Sequence, residues 1–177
     1  MNKELLLVDR DDNIIGYEKK NIIHQKGLLH RAFSIFFYDK KNKLILLQKR
    51  ALSKYHSGGL WSNTCCSHPY KNEDINVSIQ RCIKDELNID LAINNFNCKY
   101  LGKFYYYSKY NQHLFEHEID YVYICYVDSN TLSIINFNKN EISKLKWVEF
   151  NKINELYNNN FTSWFNDAYD IVRKYLS

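Results

Sequence analysis

Apolar positions along the chain fall in short runs closed by polar turns. Leu5 to Val8 is followed by Asp9-Arg10-Asp11-Asp12-Asn13, which predicts a strand and a turn. Ala32 to Tyr38 and Leu44 to Leu47 flank Asp39-Lys40-Lys41-Asn42-Lys43, the pattern of a hairpin. From Ile75 the period changes. Ile79, Ile83 and Leu87 recur at every fourth residue with Cys82 on the same side, and Asp74 precedes them as a cap. Phe96 to Tyr107 and Glu116 to Val127 are long β-rich runs, and Lys144 to Phe150 is a further strand. Helical patterns follow over Lys152 to Asn158 and Ser163 to Leu176. Mostly strands, one central helix and helices at the end predict an α+β domain with a mixed sheet.

Length and composition narrow the class. The 177 residues fit one domain, residues 1–177, able to bury about 70% of the surface of the unfolded chain. The 24 Lys and Arg against 20 Asp and Glu give a mild net charge of +4. No basic block is long enough for a nucleic-acid face, whereas a small phosphate-bearing molecule suits the balance. The five cysteines, Cys65, Cys66, Cys82, Cys98 and Cys125, lack the spacing of a disulfide framework. Met1 to Asp12 carries too many charges for a signal peptide, and no apolar run approaches the ~20 residues of a membrane helix. These features predict a reduced, cytoplasmic enzyme with neither nucleic acid nor membrane as partner.

Candidate chemistry gathers in Asn63-Thr64-Cys65-Cys66-Ser67-His68-Pro69, which holds the chain's only proline. A thiol two residues from an imidazole fits a nucleophilic or acid/base cysteine beside a metal-ligating histidine, and equally a zinc knuckle. In Glu116-His117-Glu118, strand alternation turns both carboxylates to the side of Val122 and Ile124. Carboxylates on an apolar face are costly unless a cation holds them, although a frayed strand end would leave both in water. With His24, His30 and His68 they offer three nitrogens and two oxygens, a donor set for a divalent Mg, Mn or Zn ion. Arg50 and Lys54, at the end of the hairpin, and Lys20 are placed to grip a phosphate. Glu86 shares the apolar face of the central helix, which predicts a paired or metal-bound carboxylate.

Together these segments resemble the type I isopentenyl-diphosphate isomerases, a branch of the Nudix fold. The resemblance runs from about Asp9 to Asp170. It is carried by Glu18-Lys19-Lys20 with His24 and His30, by Arg50-Ala51-Leu52-Ser53-Lys54, and by Gly59-Leu60-Trp61 through Pro69. Asp85-Glu86-Leu87, Glu116-His117-Glu118-Ile119-Asp120-Tyr121 and Trp164 complete it. It implies a mixed sheet sandwiched by helices and the interconversion of isopentenyl and dimethylallyl diphosphate. It also implies His24, His30, His68, Glu116 and Glu118 as ligands of a divalent metal, and Cys66 and Glu116 as the acid/base pair. Tyr106 is implied beside them, with Trp164 facing the cationic intermediate. Lys20, Arg50, Lys54 and the backbone of Ser67 match a diphosphate cradle, and Glu86 a ligand of the Mg ion that accompanies the diphosphate. A monomer or weak dimer is the expected state.

Two positions depart from the family pattern. Cys82 stands where an Arg is usual, and Arg81 lies about 140° around the helix from Glu86. Asn88 replaces the usual Gly after the helix, a residue that tolerates a left-handed end. A Nudix-type diphosphate hydrolase is the main alternative, but Gln80 to Glu86 carries too few carboxylates for the hydrolase box. A non-catalytic zinc module built on Cys65, Cys66 and His68 would leave Glu116, Glu118, Tyr106 and Trp164 unexplained.

Overall fold

The computed structural model describes residues 3–90, 97–130, 132, 135–156 and 160–177. Its framework is a mixed sheet organised around the strand β3 (His30–Asp39). β3 runs parallel to β8 (Leu114–Tyr126) along its length, with His30 opposite Glu118 and Ala32 opposite Asp120. On its other edge it forks. Phe33 to Ile35 pair with β6 (Cys65–Ser67), and Phe37 to Asp39 pair with β4 (Leu44–Arg50), the expected hairpin. β1 (Glu4–Val8) pairs with β2 (Ile14–Lys19) and meets β3 at Leu7 opposite His30. β4 is bordered by β5 (Trp61–Ser62) and β9 (Ile142–Glu149), and β8 by β7 (Cys98–Asn111).

Both faces of the sheet are covered because β3 is apolar on both, as strands of a doubly covered sheet are. On one face Phe33, Ile35 and Phe37 pack with Ile79, Cys82, Ile83 and Leu87 of α2 (Ile75–Leu87). On the other Phe36 and Tyr38 pack with Phe165, Ala168, Tyr169 and Val172 of α3 (Phe165–Leu176). The side chain of Asp74 accepts the amide of Asn76, as its capping position predicts, and Asn88 ends α2 in the left-handed region at φ 54°.

Several expectations need correction. β2, β5 and β6 are strands that the apolar pattern did not mark, and α1 (Lys20–Lys26) is a further helix ending on Gly27. The seven residues of α1 carry no side-chain cap and bury only Ile23 and His24, too little to show a helical period. Phe96 and Asn158 lie outside the described residues, and the stretch before Asn158 is a 3-10 helix over Phe150–Leu156. The cysteines are not all reduced: Cys98 and Cys125, directly opposite each other on β7 and β8, form a disulfide. Cys65, Cys66 and Cys82 are free, and Cys65 is a fully buried packed thiol.

Candidate active site and metal centre

One face of β8 changes character along its length. Glu116, Glu118 and Asp120 precede Val122 and Ile124 on the same side, and all five are buried. The parallel register sets this polar stretch beside His30 and Ala32. β6 brings His68 in from the fork, and α1 carries His24. Five ligand atoms, from His24, His30, His68, Glu116 and Glu118, lie within 4.8 Å of one another. Two elements that sequence patterning missed, α1 and β6, thus position two of the three imidazoles.

The contacts within this cluster are close. His68 Nε2 is 2.8 Å and His30 Nε2 3.2 Å from Glu118 Oε1, and the Nε2 atoms of His24 and His30 are 3.2 Å apart. Tyr106 donates its hydroxyl to Glu118 Oε2 at 2.7 Å and reaches Glu116 Oε2 at 3.5 Å. The outer ring nitrogens are occupied. His30 Nδ1 donates to the Leu28 carbonyl at 2.9 Å, and His24 Nδ1 is 3.0 Å from the Tyr55 hydroxyl. This second layer fixes the His30 ring with Nε2 toward the centre.

Burial sets the charges. It drives the imidazole of His24 down to about 2 and that of His68 well below its ordinary value, so both are neutral, as metal ligation requires. For His30 burial is outweighed by its hydrogen bond to Glu118, and the ring is held above its ordinary value. For Glu118, burial is outweighed by hydrogen bonds from Glu116, His30 and Tyr106, which hold its carboxyl at about 2. Three imidazoles and two carboxylates, buried and converging, fit a hard or borderline divalent ion. Neither Cys65 nor Cys66 joins this cluster, so among the described residues no zinc knuckle forms.

A cavity of about 620 Å³ opens over this wall. Cys66, Ser67, Tyr106 and Trp164 line it together with Glu116 and Glu118. Burial pushes the Cys66 thiol well above its ordinary value, with Arg50 the main opposing charge. Trp164 donates its indole N–H to Asn63 Oδ1 at 3.1 Å, which fixes the ring from within the Asn63 to Pro69 segment.

The cavity also has basic walls. Lys20, Arg50 and Lys54 line it. Arg50 is 7% exposed, its guanidinium stands 5.3 Å from the Trp164 ring, and its Nε has no partner. Lys54 is ion-paired with Glu141. Glu86 is not part of the five-residue cluster. It accepts from Gln48 Nε2 at 3.1 Å and from the Cys82 thiol at 3.6 Å, and burial raises its carboxyl to about 7.

Arg81 reaches the site although it starts about 140° around the helix from Glu86. Despite its angle on α2 it lines the same cavity as Glu86. Its guanidinium is paired with Glu73, lies 3.9 Å from the Tyr70 ring centre and donates to the His68 carbonyl at 2.9 Å. The length of the side chain overrides the angular offset, and Arg81 buttresses the backbone of His68.

Sequence patterning missed two further polar residues in the cavity. Asp120 accepts from the Ser34 hydroxyl at 2.8 Å, and burial holds its carboxyl well above the ordinary range. Extending the β8 alternation one step past Glu118 would have found it. His56 lies 2.7 Å from Glu116 Oε1 with a side chain 6% exposed. Its one sequence signal is the Ser57-Gly58-Gly59 turn that follows.

The NUDIX domain family model matches residues 28–168. An isopentenyl-diphosphate Delta-isomerase from Photorhabdus laumondii is 42% identical over 168 residues, covering 93% of this chain and 89% of that protein. A second, from Aromatoleum aromaticum, is 40% identical over 86% of this chain and 76% of its own length. A protein from Deinococcus radiodurans, known from its crystal structure, shares the fold with a TM-score of 0.72 at 17% identity, over 97% of this chain and 99% of that one. By its fold and by these identities, the chain belongs to the isopentenyl-diphosphate Delta-isomerases of the NUDIX fold.

Proposed function

We propose that this protein interconverts isopentenyl diphosphate and dimethylallyl diphosphate by protonation and deprotonation through a tertiary carbocation. The observation that carries the reading is one cavity lined by Cys66 and Glu116, with the imidazole–carboxylate cluster behind Glu116 and an unpartnered Arg50 Nε in its basic side. The diphosphate is gripped by Arg50, Lys54, Lys20 and the backbone of Ser67 through charge-assisted hydrogen bonds, and Lys54 exchanges Glu141 for it. That grip holds the hydrocarbon end between Cys66 and Glu116.

Protonating an unactivated alkene needs a positioned acid and a site from which water is excluded. Glu116 delivers a proton to the terminal alkene carbon. The resulting cation is stabilised by the face of Trp164, worth about 0.5–2 kcal/mol. Cys66 removes a proton from the neighbouring carbon, and in the reverse direction its thiol is the donor. Tyr106 keeps the carboxylate pair in place through Glu118. His24, His30, His68, Glu116 and Glu118 would hold a divalent cation, Mg, Mn or Zn, which would fix the Glu116 carboxyl and withdraw charge from it, and Glu86 would hold a Mg ion whose charge would offset that of the diphosphate.

Hydrolysis is disfavoured because the acids of α2 reduce to Asp85 and Glu86. No described helix is long and apolar enough to cross a membrane. The reading is of a cytoplasmic enzyme, monomer or weak dimer, acting on a small diphosphate. Incubation with isopentenyl diphosphate and Mg in deuterated water tests it. Dimethylallyl diphosphate carrying deuterium is the expected product, and phosphate release without isomerisation would overturn the reading.

A further inference from the structure

Glu141 lines the cavity, and the proposed chemistry asks of it only that it release Lys54. It immediately precedes β9, and backbone hydrogen bonds tie it to two segments of the site. Its carbonyl accepts from the amide of Ala51 at 2.9 Å, which sets it beside the stretch that carries Arg50 and Lys54. Its amide donates to the Asn138 carbonyl at 3.0 Å, and the amide of Asn138 donates to the Glu86 carbonyl at 2.8 Å. The Asn138 side chain donates to the Asp85 carbonyl at 3.3 Å. The turn before β9 is thus fastened both to the end of α2 and to the loop after β4.

Two carboxylates share this part of the cavity with one lysine. Glu141 is ion-paired with Lys54. Glu86 takes only neutral donors among the described residues, Gln48 Nε2 at 3.1 Å and the Cys82 thiol at 3.6 Å. Burial is the first cause of its raised carboxyl and the charge of Glu141 the second, with Lys54 and Arg50 opposing. The same cavity holds the Arg50 guanidinium, 7% exposed, whose Nε has no acceptor. A buried cationic donor without an acceptor, beside two acids that share one lysine, is a set of groups for an anion and a cation that arrive together. Mg suits it, because that ion is usually held by one or two carboxylates together with substrate phosphates.

We propose that Glu141 is, with Glu86, a ligand of the divalent cation that accompanies the diphosphate, and that Lys54 occupies it until the diphosphate arrives. The inference rests on the isomerase reading and deepens it. In the free protein Glu141 and Lys54 neutralise each other. On binding, Lys54 turns to the diphosphate oxygens through charge-assisted contacts, and the freed carboxylate of Glu141 faces the cation that comes with them. No covalent bond forms or breaks. Lys54 exchanges one anion for another, and Glu141 one cation for another. Each ion removes the partner that blocks the other's ligand, so the two bind with positive and reciprocal coupling.

Mn and inorganic pyrophosphate are the probes, on the full chain, with free Mn followed by paramagnetic resonance. The parent protein is expected to bind one Mn without pyrophosphate, at the imidazole cluster, and a second that pyrophosphate tightens about tenfold or more. Glu141→Gln is expected to weaken the second ion about tenfold and to leave the first unchanged. Lys54→Gln is expected to tighten the second ion severalfold when pyrophosphate is absent. Asp85→Asn removes another carboxylate that lines the cavity and is expected to change neither ion. An unchanged second ion in Glu141→Gln overturns the proposal. An equal loss in Asp85→Asn also overturns it, by making Glu141 a diffuse charge and not a ligand. Weaker pyrophosphate-free binding in Lys54→Gln overturns the exchange, and this variant decides alone if Glu141→Gln does not fold. Absence of isomerisation in a parent protein that still couples Mn to pyrophosphate would instead overturn the isomerase reading.

Discussion

The two sides of the cavity meet the same difficulty, buried polar groups, in opposite ways. On the β8 side the ligand cluster is answered from within: Glu118 takes His68, His30 and Tyr106 on its two oxygens, the outer nitrogens of His24 and His30 are engaged as well, and only Asp120 Oδ1, farther along the strand, is left without a partner among the described residues. On the basic side Arg50 keeps a buried Nε without a partner, Lys54 is held by a half-exposed Glu141, and Glu86 is raised toward neutrality. A buried donor left unmet costs about 1–3 kcal/mol, so the second side holds in reserve what a ligand would repay. The first side fits a small cation, and the second keeps a buried donor that an anion would satisfy.

The sharpest break between the two sides comes from removing the reacting groups. Glu116→Gln and Cys66→Ala are each expected to lower isomerisation by about a thousandfold or more while circular dichroism stays that of the parent. Near-parental turnover of Cys66→Ala would show that the thiol is not in the chemistry. Next comes the cation. Chelation is expected to abolish turnover and lower Tm, with both restored by Mn or Mg, and His68→Ala should weaken metal binding at least about tenfold to a hundredfold. An unaltered metal content in His68→Ala, measured on dialysed protein, would remove the histidine from the ligand set.

The basic side should respond in KM. Arg50→Gln is expected to raise KM for isopentenyl diphosphate about tenfold or more, the worth of a charge-assisted contact, and to leave stability unchanged or slightly improved. A large loss of stability with little change in KM would mean that Arg50 is structural.

How far the sequence foretells this follows from the range of each signal. The α2 cap at Asp74, its end at Asn88 and the β3–β4 hairpin rest on neighbours a few residues apart, and they appear where patterning puts them. The Cys66–Ser67–His68 segment is equally local. α1 and β6 are too short to show a period; β6 is placed by the fork of β3, and α1 by its packing on β8 and β2. His56 is farther from reach. Its partner Glu116 lies sixty residues away, and nothing in Tyr55-His56-Ser57 differs from a solvated loop. Arg81 escaped for another reason: helix geometry fixes where a side chain begins but not where a long one ends. The disulfide required the register of β7 on β8.

The smallest expected effect separates the two sides by the sign of their pH dependence, in metal-free protein. The Glu118 carboxyl is held at about 2, below its ordinary value of 4.5. Between those values the unfolded chain binds more protons, so this contribution appears as pH rises toward 4.5 and is lost as pH falls through 2. The Glu86 carboxyl is raised from 4.5 to about 7, chiefly by burial and then by Glu141. Here the folded state binds more protons, so the contribution is full below 4.5 and is lost as pH rises through 7. A carboxyl lining a water-accessible cavity is partly screened, so the loss at Glu86 is about 1–2 kcal/mol. Urea midpoints taken from pH 3 to 8 check both signs. Glu118→Gln should flatten the acid side of the profile and Glu86→Gln the neutral side. If Glu86→Gln falls between pH 4.5 and 7 as steeply as its parent, the strained carboxyl is not on the basic side. If it flattens there, the same free energy is what a cation bound at Glu86 recovers, because ionising that carboxyl then no longer opposes folding.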